Sequence, residues 1–213
     1  MTVKAKICGL TTKEAILSAI DNGADYIGFV FFHKSPRNIT AKKAKELSDI
    51  IPPHIKKVGV FVDPTNEYLD DLFKLFKPDY IQCHGSETQE RIYDIHMRYS
   101  LPVIKAISVR NSDDIVRGKA YSNVSDMVLF DARAPIDSPI PGGNGIAFDW
   151  ALLKKREFIV PWILSGGINI DNLEEAVKIS GAKIVDVSSS IESAPGVKDS
   201  DLIAAFLKKV KTL

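Results

Sequence analysis

PWILSGGINIDNLEEAVKISGAKIVDVSS, residues 161–189, reads as one complete folding unit. An apolar run at 161–166 leads into Gly166-Gly167, an amphipathic stretch follows from Asn169 to Gly181, and a second apolar run at 183–189 ends in serines. Asn before a periodic stretch is a helix start and Gly after it a helix stop, so the middle segment reads as a helix opening at Asn169 and closing at Gly181. Two short strands joined by a helix form a right-handed parallel βαβ unit.

Working outward from that unit, six more β-rich runs precede it, at 4–8, 25–32, 57–63, 79–84, 102–107 and 126–131. Helical stretches such as TTKEAILSAIDNG (11–23) lie between them. Eight strands with a helix in each interval predict an α/β fold: a single (β/α)₈ TIM barrel of parallel strands, one domain over residues 1–213, with its active site at the C-terminal face. An open doubly wound sheet is the rival, but no Gly-x-Gly-x-x-Gly turn follows the first strand.

Composition narrows the function. The 213 residues, 45% of them hydrophobic, suffice for a full core. With 28 basic against 27 acidic residues there is no net field to draw nucleic acid or an anionic membrane, so neither is an expected partner and any anion site must be local. Only two cysteines, Cys8 and Cys83, occur, both in apolar runs; reduced thiols and a cytoplasmic location are the expectation. No apolar run is long enough to span a bilayer, and no signal-peptide pattern precedes the first strand. Nothing in the composition separates a monomer from a homodimer.

All eight strand ends of a parallel barrel open on one mouth. The residues there are Cys8, Phe32, Asp63, His84, Ser108, Asp131, Ser165 and Ser188. Gly166-Gly167 after the seventh strand and Ser188-Ser189-Ser190 after the eighth offer backbone N–H groups and hydroxyls, which suit a phosphate at the position where barrels recurrently bind one. Elsewhere the same residues would be a tight turn and helix caps. Cys8, the last residue of the first strand, is expected at the open rim, with Lys6 one layer below it favouring the thiolate. Asp186 should point inward from the eighth strand and pair with Lys6, since a lone buried charge is costly. Asp131 ends the sixth strand ahead of a Pro/Gly-rich segment, 133–147, that reads as a lid or a surface loop. Asp131 and Cys8 would face each other across the mouth, as acid and base.

The ordered motifs KICG (6–9), GFVF (28–31), SPR (35–37), VFV (60–62), Q-x-HG (82–85), LFD (129–131), GGNG (142–145), FDW (148–150), LSGG (164–167), DVSS (186–189) and PGVKD (195–199) resemble the phosphoribosylanthranilate isomerases. The likeness runs over nearly the whole chain, and KICG together with DVSS is its specific signature. It implies an Amadori rearrangement in tryptophan biosynthesis with no cofactor and no metal, acting on a phosphorylated small molecule. Asp131 would be the general acid that opens the furanose ring and Cys8 the base that removes the C2′ proton. Arg37 would hold the anthranilate carboxylate, His84 would be a substrate-binding group at the mouth, and Gly166, Gly167, Ser188, Ser189 and Ser190 would take the phosphate. The chain departs from the family in Ser190, where Gly is usual, and in Ile146, where Lys is. A metal-dependent phosphosugar epimerase is a poorer fit, because His33, His54, His84 and His96 lack ligand spacing. A silent regulatory barrel would be expected to have lost Cys8 or Asp131.

Overall fold

Eight parallel strands close on themselves in chain order. They are β1 (Lys4–Cys8), β2 (Tyr26–Phe31), β3 (Lys56–Phe61), β4 (Tyr80–Cys83), β5 (Val103–Val109), β6 (Met127–Ala132), β7 (Trp162–Leu164) and β8 (Ile184–Val187). The computed structural model describes residues 2–132, 138, 140–143, 145 and 147–213. Closure is made by β1 against β8, with Lys6 level with Asp186. Side chains alternate between two apolar regions, as the pleat requires. One lies inside the barrel and includes Val58, Ile104, Leu129 and Ile163. The larger one lies between strands and helices and includes Ile7, Phe29, Phe61 and Phe130.

Among the described residues seven α-helices surround the barrel: α1 (Lys13–Asp21), α2 (Ala41–Ser48), α3 (Asn66–Phe73), α4 (Gln89–Tyr99), α5 (Ser112–Tyr121), α6 (Leu173–Ser180) and α7 (Ser200–Val210). The first four share one start. Thr12, Thr40, Thr65 and Thr88 are extended N-caps whose hydroxyls accept the third backbone N–H of the helix, filling donors that would otherwise be orphaned. None of the helices among the described residues is long and apolar enough to cross a membrane.

Two expectations need correction. A helix in every interval is not what forms: among the described residues, the stretch between β6 and β7 contains only a 3₁₀ turn, Trp150–Leu153. Asp149 caps that turn, but Lys154 directly after it is extended, at ψ 127°, and Lys155 is left-handed at φ 56°, so the turn does not continue into a helix. Secondly, α6 begins at Leu173 rather than near Asn169. The Asn169 side chain accepts from the N–H groups of Asp171 and Asn172, and this local turn competes with the helix for its first residues.

A small antiparallel hairpin, β9 (Glu192–Ala194) with β10 (Val197–Lys198), follows the barrel's last strand. Its turn needs Gly196 at φ 83°, where a Cβ would lie 2.5 Å from the Pro36 carbonyl oxygen. The hairpin is thereby pressed against the loop after β2.

Candidate active site

The mouth of the barrel holds a cavity lined by residues from seven strand ends and from the segment after β6. Cys8, Arg37, His84, Asp131, Gly166, Gly167, Ser188 and Ser189 all line it. Ser190 does not: its hydroxyl is directed away, donating to the Ile168 carbonyl at 2.6 Å. Ile140, Pro141, Gly142, Gly143 and Gly145 form part of the wall, whereas Arg133, Asn144 and Ile146 lie outside the described residues, so the 133–147 segment is only partly seen.

At the base of the site Lys6 and Asp186 pair at 2.8 Å, as the inward register of β1 and β8 predicts. Lys6 is wholly buried, and Asp186 takes a second hydrogen bond from the Ser165 hydroxyl at 3.0 Å. Burial alone would depress the Lys6 ammonium, but the Asp186 carboxylate and the Cys8 sulfur above it outweigh burial and hold it firmly charged.

Cys8 departs from expectation in one respect. It lines the cavity but is only 7% exposed, not open at the rim. Burial pushes its thiol above the ordinary range, and the attraction of Lys6, partly undone by Asp186, does not restore it. Lys6 therefore limits the upward shift rather than delivering a ready thiolate. Since a thiol with a raised pKa is protonated at neutral pH, alkylation of Cys8 by iodoacetamide in the unliganded protein should be slow at pH 7. It should still be accelerating above pH 9, where an unburied thiol levels off. A plateau at or below pH 8 would show that Lys6 wins instead.

Opposite Cys8, Asp131 is 4% exposed and held by His84, whose Nε2 lies 3.2 Å from Oδ2. The other ring nitrogen of His84 is 2.9 Å from the Gln82 side-chain amide. With the amide NH₂ donating there, Nδ1 is the acceptor and Nε2–H donates to Asp131. Two glycines make room for this carboxylate. A Cβ on Gly142 would approach Oδ2 to 2.6 Å, and one on Gly166, at φ 85°, would strike the Ala132 amide nitrogen at 2.4 Å.

His84 is fixed from behind. The loop that follows it is pinned by buried Glu87, which accepts from the N–H groups of Asp63 and Gly85 and pairs with Lys105 at 2.6 Å.

The loops after β7 and after β8 leave backbone donors unused. Among the described residues, no hydrogen bond engages the N–H groups of Gly166, Gly167 or Ser189. Ser188 does not cap the 3₁₀ turn Ser189–Ile191; its hydroxyl donates to the Cys8 carbonyl instead. Free amides on two adjacent loops make an anion cradle.

Two residues of the site carried no reading in the sequence. Glu192 and Lys198, from the hairpin, pair at 2.6 Å, and Glu192 also grips Arg37 at 2.7 and 2.8 Å. A lone acidic residue in the serine-rich run SSSIES, and the lysine within the PGVKD motif, were the available signals.

Comparison with known proteins agrees with this geometry. The family model for N-(5'phosphoribosyl)anthranilate (PRA) isomerase matches residues 5–209. A protein of Paramagnetospirillum magneticum named N-(5'-phosphoribosyl)anthranilate isomerase is 48% identical, covering 99% of this chain and 98% of its own. One of the same name from Paracoccus denitrificans is 46% identical over 98% of this chain and 97% of its own. The crystal structure of phosphoribosyl anthranilate isomerase from Thermotoga maritima superposes with a TM-score of 0.88 at 37% identity, over 99% of this chain and all (100%) of that one. Another solved structure of such an isomerase, in complex with reduced 1-(o-carboxyphenylamino)-1-deoxyribulose 5-phosphate, has a TM-score of 0.84 at 36% identity over 99% of this chain and 100% of that one. By sequence over its whole barrel, the chain belongs to the N-(5'-phosphoribosyl)anthranilate isomerase family.

Proposed function

We propose that this protein converts N-(5-phosphoribosyl)anthranilate to 1-(2-carboxyphenylamino)-1-deoxyribulose 5-phosphate, a step of tryptophan biosynthesis, by acid and base catalysis from its own side chains. The observation that supports it is a single cavity lined by Cys8 on β1 and Asp131 on β6, with unoccupied backbone amides at the ends of β7 and β8.

The chemistry runs as follows. Asp131 gives its proton to the furanose ring oxygen as the C1′–O bond breaks, leaving an open chain with a protonated imine and the new hydroxyl. That cation acidifies the neighbouring C2′–H, and the Cys8 thiolate takes this proton to give an enolamine. Tautomerisation of the enolamine yields the ketone, with no net change in oxidation state. The positive imine also bears on Cys8: a cation beside a buried sulfur offsets the desolvation that keeps the thiol protonated in the empty site. Closure over the ring would strengthen the effect by excluding water.

His84 orients the Asp131 carboxyl through Nε2, and Arg37 meets the anthranilate carboxylate. Gly166, Gly167, Ser188 and Ser189 cradle the phosphate, with Ser190 able to take part only through its backbone N–H, since its hydroxyl is committed to Ile168. Both cysteines are free thiols, which fits a reducing cytoplasm as the place of reaction.

The test is direct. Purified protein mixed with phosphoribosylanthranilate in the presence of EDTA should consume it, followed by the loss of substrate fluorescence. Tight binding of the reduced product analogue without turnover would overturn the enzymatic reading in favour of a regulatory barrel.

A further inference from the structure

Arg37 is held as few loop arginines are. It is 6% exposed, and its Nε and Nη2 donate to the two carboxylate oxygens of Glu192 at 2.7 and 2.8 Å. Glu192 is itself fixed, accepting from Lys198 Nζ at 2.6 Å and from the Gly196 N–H at 3.2 Å. Glycine backbones close on the arginine from two sides. A Cβ at Gly9 would lie 2.7 Å from its Cδ, and one at Gly143 would lie 2.5 Å from its Nη1. Only glycine at these two positions leaves the arginine its place.

A guanidinium has two edges that can each hold a carboxylate through parallel hydrogen bonds: the side, Nε with Nη2, and the end, Nη1 with Nη2. Glu192 occupies the side edge. On the end edge Nη2 makes only a long contact, 3.4 Å, to the Gly143 carbonyl; among the described residues no hydrogen bond reaches Nη1, and Arg37 and Gly143 both line the cavity. The end edge, Nη1 with Nη2 once that long contact is exchanged, is therefore the one a ligand can take. Charge points the same way. Arg37 and Lys198 against Glu192 leave one positive charge at this corner, which one incoming carboxylate neutralises. The pairing also keeps the Glu192 carboxyl well below its ordinary range: burial opposes this, but Arg37 and Lys198 outweigh it.

We propose that Glu192 is a positioning residue that sets specificity for a substrate bearing a carboxylate on its aromatic ring, by holding Arg37 end-on to that group. This rests on the reading of Arg37 as the carboxylate's partner.

Two probes separate the ideas: reduced 1-(o-carboxyphenylamino)-1-deoxyribulose 5-phosphate and the same compound without its carboxyl group, each titrated calorimetrically. Glu192→Gln should weaken the carboxylated probe on the order of tenfold, with the decarboxylated probe bound as in the wild type, which also verifies the fold. In turnover the loss should fall on KM more than on kcat. In an Arg37→Ala background Glu192→Gln should remove no further preference, whereas a merely structural role would add its own loss. If Glu192→Gln keeps the full preference or binds the carboxylated probe more tightly, Glu192 is a bystander or a competitor and the proposal fails. If Arg37→Ala itself keeps the preference, it is the reading of Arg37 that fails.

Discussion

Cys8→Ser should lower kcat by about 10²- to 10⁴-fold, the usual contribution of a positioned proton-transfer group, and leave the dissociation constant of the reduced product analogue nearly unchanged. Serine nearly matches cysteine in shape, so the cavity wall and the Lys6–Asp186 pair beneath it stay in place. What changes is acidity. A hydroxyl is several pH units harder to ionise than a thiol, and in a site where burial already raises Cys8 the alkoxide is out of reach. Asp131→Asn should match it for the complementary reason: the amide preserves shape and can still accept from His84, but has no proton acidic enough for the ring oxygen. Because the two act on successive steps through one bound substrate, the double variant should be little worse than either single one. Wild-type kcat in Cys8→Ser would mean that another group takes the C2′ proton.

How far the sequence carried this picture depends on the range of the forces involved. Strand positions were legible because alternation and strand-end polarity are local, and the Lys6–Asp186 pair followed from them once closure set β1 beside β8. The mouth was legible for the same reason: in a parallel barrel every strand end is a mouth residue. The depth of Cys8 was not, because it depends on how Gly28 and the β8 loop pack over it; a Cβ at Gly28 would lie 2.8 Å from the sulfur. Nor was the partner of Arg37, which lies 155 positions away on a hairpin that no periodic pattern announces. Ser190 shows a further limit. Its residue type fits a phosphate cradle, but a hydroxyl rotates to the nearest acceptor, and here that is Ile168. The 3₁₀ turn before β7 stops at an extended Lys154 and a left-handed Lys155, the latter a conformation sequence seldom signals for a non-glycine residue.

Lys6→Met should destabilise the fold by about 3–5 kcal/mol, the expected penalty when one member of a buried ion pair is removed. Met fills much of the space of Lys, so the loss is electrostatic: Asp186 would keep only the Ser165 hydroxyl as a partner, 5% exposed and facing an apolar barrel interior. Urea unfolding of the variant should show a lowered midpoint at an unchanged slope. Lys6→Met with Asp186→Leu should regain most of the loss, since an apolar pair of similar volume avoids desolvating two ions. That rescued barrel should nevertheless be a poor enzyme. Without the ammonium beneath it only the weaker pull of Lys198 offsets the burial of Cys8, so its thiol should alkylate more slowly than in the wild type at every pH below full ionisation. A stable double variant with undiminished turnover would break the link between the buried pair and the base, leaving Lys6 a purely structural residue.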